Sequence, residues 1–123
     1  MNQNQIKRYV ACPVHNGMPG PLHKGGCVVL LNGNHWVAVQ RRGPEIHIMD
    51  SIVSTWPTRF TKWINSHGLE IKINKRKLQR ESSKLCGVLC ILFIKMQISI
   101  SAFEKLLIDN SDRRIMALFH FIV

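Results

Sequence analysis

Four residues have the types that acyl transfer by a thiol uses: His35, Asp50, Gln79 and Cys86. A cysteine attacks as the thiolate, so it needs a lowered pKa. It also needs a histidine to take and return a proton, and donors for the oxyanion that develops on a carbonyl. Cys86 opens the most apolar stretch of the chain, Cys86 to Gln97, which reads as a buried helix. A helix N-terminus offers unpaired N–H groups and a partial positive charge, and both favour thiolate. Gly87 behind it leaves room for the backbone of a bound peptide. A lone cysteine in an apolar segment is usually core; the company of Cys86 argues for more. His35 begins a strand just after a tight turn, and Asp50 ends the next strand. Antiparallel pairing would bring them together, so that the carboxylate fixes the imidazole tautomer. Gln79 would add an amide donor for the oxyanion.

The elements that must position these residues follow from pattern. Residues 12–26 carry Pro13, Pro19, Pro21, Gly17, Gly20, Gly25 and Gly26, and read as loop. Cys27 to Leu31 is β-branched and apolar, a buried strand. Asn32-Gly33-Asn34 is a turn, because Asn-Gly tolerates positive φ. His35 to Gln40 is the partner strand, Arg41 to Pro44 a second turn, and Ile46 to Met49 a third strand. An antiparallel meander is therefore expected. Thr58 to Ser66 reads as an amphipathic helix stopped at His67-Gly68. Leu69 to Ile73 alternates as a fourth strand. Ser101 to Ile108 is a further helix, capped by Ser99 or Ser101. Ile115 to Val123 is apolar enough to return to the core as helix or strand.

The stretch Gln79-x3-Ser83-x2-Cys86-Gly87-x2-Cys90 resembles the active-site segment of the adenovirus-protease-like (adenain-like) cysteine peptidases, a group that includes the SUMO-protease-like enzymes. His35-Trp36 before an aliphatic strand resembles that family's His-Trp strand. Ile48-Met49-Asp50-Ser51 resembles its strand ending in the acidic member of the triad. Phe103 to Ile115 is similar to a following helix in viral and transposon-borne maturation proteases. The resemblance spans residues 25–115. It implies an α+β fold over residues 1–123, with an antiparallel sheet packed on a central active-site helix and flanking helices. The arrangement would be papain-like in a rearranged order of His, Asp, Gln, Cys. It implies Cys86 as nucleophile, His35 as base and acid, Asp50 as its orienter, and Gln79 with the Cys86 N–H as oxyanion donors. Trp36, with Gly87, would contact substrate and pack beside His35, or Trp36 is plain core; Ser83 caps the helix. Cys90 is core. The implied substrates are proteins cut after glycine, capsid precursors if the source is viral, in the host nucleus, a cytoplasmic assembly site or the virion. A deconjugating peptidase for ubiquitin-like proteins is the alternative within the class. The chain departs from the family in its short flanks and in aspartate where adenoviral enzymes carry glutamate.

Lys+Arg 17 against Asp+Glu 7 gives a net charge of +10 on 123 residues, which points to a polyanionic partner or a solvated basic face. Six of the 17 cations, Lys72, Lys75, Arg76, Lys77, Arg80 and Lys84, lead into the active-site segment. They read either as solvated surface or as a phosphate contact without base readout. The family resemblance implies DNA or an activating peptide as accessory, with no cofactor needed for the chemistry. A small basic nucleic-acid-binding protein without activity is the rival from another class. Cys12, His15, His23 and Cys27 are zinc-capable types at irregular spacing, and no metal is expected. No apolar run reaches the ~20 residues of a membrane helix. The polar start, Met1 to Gln5, lacks the apolar core of a signal peptide. An intracellular monomer with free thiols is expected.

Overall fold

The structure, a computed structural model, describes residues 1–17, 19–22 and 24–123. Among the described residues it is α+β, with a five-stranded mixed sheet and five helices. The strands are β1 (Val14–Asn16), β2 (Cys27–Leu31), β3 (His35–Arg42), β4 (Glu45–Met49) and β5 (Glu70–Ile73), in spatial order β1-β2-β3-β4-β5. The helices are α1 (Gln3–Lys7), α2 (Thr58–Asn65), α3 (Cys86–Met96), α4 (Ile100–Leu106) and α5 (Asp112–Ile122).

The central meander has the expected form. β2 and β3 pair antiparallel from Cys27↔Val39 to Leu31↔His35, and β3 and β4 from Ala38↔Met49 to Arg42↔Glu45. The first hairpin turns at Asn32 (φ 53°) and Gly33 (φ 76°), both in the left-handed region that Asn-Gly tolerates. The expectation of a wholly antiparallel sheet is corrected at its edges. β1 runs parallel to β2, and β5 runs parallel to β4. Parallel neighbours require a crossover; the β4–β5 crossover is the segment that carries α2. Arg41 and Arg42 belong to β3, and the tight turn is Gly43-Pro44. The strand β1 lies in the stretch read as loop, and the helix α1 begins in the polar start. α1 is short and held by a capping box between Asn2 and Gln5.

Alternation along the strands builds two cores. Val28, Trp36, Ala38 and Met49 face a layer made by α1, α3, α4 and α5. Cys27, Val29, Leu31, Val37, Val39, Ile46 and Ile48 face Phe60 and Ile64 of α2. α3 is apolar around its whole circumference and buried from Gly87 to Ile94, as a helix enclosed by other elements must be. α4 is capped by Ser99 and docks on β4 through His47, whose Nδ1 accepts the Ile100 N–H at 3.0 Å. The tail is helical and starts at Asp112 behind the Ser111 cap. No helix among the described residues is long and apolar enough to cross a membrane.

Gly26 sets the entry to β2. Its φ is +87°, and a Cβ there would lie 2.2 Å from the Val39 carbonyl oxygen. Gly26→Ala is therefore expected to lower stability by about 2 kcal/mol, read as the urea midpoint. An unchanged midpoint would mean that this close approach can relax.

Candidate active site

Asp50 directly follows β4, and its carboxylate is fully buried. Burial alone would raise its pKa, but hydrogen bonds from His35, Ser54 and Trp56 outweigh burial and hold it down at about 2. Oδ1 meets His35 Nε2 at 2.7 Å and accepts the Ile52 N–H at 3.3 Å. Oδ2 accepts the Ser54 N–H at 2.9 Å, the Ser54 hydroxyl at 2.6 Å and the Trp56 indole N–H at 2.9 Å. The Asp50 backbone is held as well: its N–H donates to Asn74 Oδ1 at 2.8 Å, and its carbonyl accepts from Asn74 Nδ2 at 2.7 Å. Trp56 in turn stands edge-on to Phe60 of α2, with ring centroids 5.1 Å apart. The crossover helix thus steadies a donor to the carboxylate.

His35, the first residue of β3, is buried between Asp50 and Cys86. With Nε2 on Asp50, Nδ1 is the nitrogen left for the thiol. Burial would lower the imidazole pKa; the hydrogen bonds and charges of Asp50 and Cys86 outweigh it and push it up to about 9. Cys86 is the first residue of α3. Burial would raise its pKa, yet the His35 side chain and the N–H groups of Trp36 and Gly87 lower it below the ordinary thiol value. The other three thiols go the opposite way. Burial pushes Cys12 up to about 11 and Cys27 to about 12, and takes Cys90 well above its ordinary value. One of four cysteines is therefore tuned toward thiolate, and it is the one facing the histidine.

His35, Trp36, Gln79 and Cys86 line one open cleft of about 400 Å³, with Met1, Asn34, Ile52, Glu81, Ser83 and Lys84. Gln79 is buried; its Nε2 donates to the Ser83 carbonyl at 2.9 Å and its Oε1 accepts from the Ser51 hydroxyl. The N-cap of α3 is Leu85, which supplies no side-chain acceptor to the first turn. The Cys86 N–H is thus among the first-turn groups without an intrahelical partner. Ser83 sits earlier than a cap and accepts the Leu85 N–H at 3.3 Å.

Two expected substrate contacts look different in three dimensions. Trp36 is both core and cleft wall, and its indole N–H donates to the Met1 carbonyl at 2.9 Å. Gly87 does not open onto free space: a Cβ there would stand 3.1 Å from Met1 Cβ and 3.4 Å from Ile6 Cδ1. The room that glycine provides is filled by the N-terminal residue.

The six cations of the basic run are not equivalent. Lys72, Lys75, Lys77, Arg80 and Lys84 are exposed, but Lys72 Nζ bridges to Glu70 at 2.8 Å. Arg76 is half-buried, and its guanidinium donates to the Leu107 and Glu104 carbonyls at the end of α4. There it caps that helix. Lys72, Lys75, Arg76 and Lys105 line a second cavity of about 530 Å³ beside Ile73, Ile100 and Ile108. Lys84 lies instead in the cleft. Among the zinc-capable residues, His23 lies outside the described residues. Among those described, no three His, Cys, Asp or Glu side chains converge as a metal site.

Asn74, Ser54, Trp56 and Met1 were not singled out by sequence reasoning. The readable signal was Asp50 accepting the N–H two residues on, the Asx turn that aspartate favours. Nothing in sequence announces Asn74, 24 residues away. No family model matches the chain, and no curated protein is significantly similar to it.

Iodoacetamide at pH 7 is expected to label Cys86 ahead of Cys12, Cys27 and Cys90, read by peptide mass mapping. His35→Ala should slow that labelling roughly tenfold or more, because the thiol loses the partner that lowers its pKa. Equal rates in the two proteins would uncouple His35 from the thiol.

Proposed function

We propose that the protein is a cysteine endopeptidase of the adenovirus-protease-like kind. The observation that carries this reading is the line Asp50–His35–Cys86 at the wall of an open cleft, with Cys86 the one thiol whose pKa is lowered. In the proposed reaction the Cys86 sulfur adds to a peptide carbonyl carbon. The oxyanion is received by the Cys86 N–H and the second Nε2 hydrogen of Gln79. His35, protonated, gives its proton to the leaving amine as the C–N bond breaks, and a thioester remains. Water, deprotonated by His35, then adds to the thioester and releases the acid and the thiol. Asp50 stays ionised and holds the ring in place.

The substrates we assign are proteins with glycine before the cut, viral capsid or structural precursors foremost. A synthetic Gly-Gly-containing precursor peptide should be cleaved by the wild type and left intact by Cys86→Ala. Cleavage confined to a ubiquitin-like fusion would shift the assignment to a deconjugating enzyme. Activity should fall as pH rises through about 9, because the imidazolium that protonates the leaving amine has its pKa there. A kcat/KM profile that still rises above that pH would remove His35 from the acid role.

DNA enters as an accessory, supported by the exposed side chains of Lys75, Lys77 and Arg80 and by the net charge of +10. Lys77→Ala should reduce the salt slope of DNA binding by about one with little change in thermal stability. Arg76→Ala should instead lower the melting temperature, because it removes the donors to the end of α4. A large fall in melting temperature for Lys77→Ala would mark it as structural.

A further inference from the structure

An amide is an ambiguous oxyanion donor. Its oxygen and nitrogen ends are similar in size, and only the nitrogen end can receive negative charge. Rotating the Gln79 amide by half a turn would place an acceptor where the proposed mechanism needs a donor. The neighbouring groups decide between the two orientations.

Ser51 follows Asp50 directly and is fully buried. Its hydroxyl donates to Gln79 Oε1. At the other end, Gln79 Nε2 donates to the Ser83 carbonyl at 2.9 Å. A carbonyl can only accept, so this contact alone requires nitrogen there. Ser51 supplies the complementary restraint on oxygen. One Nε2 hydrogen is used on Ser83, and the second is left for the cleft that Gln79 lines. The backbones are tied at the same place, with the Leu78 N–H donating to the Ser51 carbonyl at 2.7 Å. A slip of the 78–79 segment relative to the end of β4 would break both contacts together.

We infer that Ser51 is a positioning residue that orients the Gln79 amide, so that its N–H end faces the reacting carbonyl. This rests on the peptidase reading above. Ser51 touches neither the thiol nor the imidazole in this role; it acts through Gln79. The same two-residue step, Asp50-Ser51, therefore serves both halves of the chemistry. Asp50 orients the proton carrier, and Ser51 orients the oxyanion donor.

The test is hydrolysis of the Gly-Gly precursor peptide by wild type, Ser51→Ala, Gln79→Ala and the double variant, with iodoacetamide labelling of Cys86 measured alongside. Removal of Gln79 should lower kcat roughly 10²-fold, and Ser51→Ala roughly tenfold with KM little changed. The double variant should be no slower than Gln79→Ala alone, because Ser51 has nothing left to orient. The rate and pH dependence of Cys86 labelling should be the same in Ser51→Ala as in wild type. Wild-type kcat in Ser51→Ala, losses that multiply in the double variant, or a displaced labelling profile would each overturn the inference. Should Ser51→Ala not fold, Ser51→Thr keeps the hydroxyl and should keep kcat, whereas Ser51→Cys, a weak donor, should lose it; equal rates in the two overturn it. If the wild type labels rapidly at Cys86 yet cleaves neither the peptide nor a ubiquitin-like fusion, the peptidase reading itself fails and takes this inference with it. If the wild type cleaves and Ser51→Ala matches it, the inference on Ser51 fails alone.

Discussion

A fully buried carboxylate is the constraint around which the rest of this protein is arranged. An isolated charge removed from water is strongly unfavourable, and the usual outcome is neutralisation. Asp50 stays ionised because it accepts from His35, from the Ile52 and Ser54 N–H groups, from the Ser54 hydroxyl and from the Trp56 indole. Meeting that demand draws on several elements. β3 brings His35, the loop after β4 curls back with Ile52 and Ser54, and α2 supports Trp56 through Phe60. The end of β5 supplies Asn74 to grip the Asp50 backbone. The parallel placement of β5 beside β4 brings that asparagine to the site.

The chemistry of the thiol is a consequence of the same arrangement. Asp50 raises the proton affinity of His35, and His35 then favours thiolate at Cys86. Cys90, one turn further along α3, has the same side chain and the opposite tendency, because burial in the core penalises its charge and the nearby Cys86 and Asp50 charges add to that. Reactivity here is a property of position, set by what faces the sulfur and not by the residue type.

The charge of the chain divides in a similar way. Lys72 pairs with Glu70 of its own strand, and Arg76, just beyond β5, reaches Glu104 and the end of α4. Lys75, Lys77 and Arg80 stand exposed around them, while Lys84 reaches the cleft. A run that is uniform on paper thus serves as structural clamp, as solvent-facing charge and as cleft wall. Net charge speaks to partners in solution, whereas single cations answer to their nearest oxygen.

The central strands, the Asn-Gly hairpin, α2 and α3 were legible in the residues, because period-two and all-round apolar patterns are local signals. So was the presence of histidine, aspartate, glutamine and cysteine, the side chains that thiol chemistry uses. The short α1 and β1 were not legible, since neither carries a repeat long enough to show a period. The parallel edges were not legible either, because pattern marks a strand but not the direction of its neighbour. Asn74 beneath Asp50, Met1 in the space above Gly87 and the Ser51 hydroxyl on Gln79 depend on contacts between residues 24, 86 and 28 apart. By itself the sequence determined which groups were on hand for chemistry. The tertiary structure decided which of them face one another, because hydrogen bonding and desolvation act over a few ångströms of space, whatever the distance along the chain.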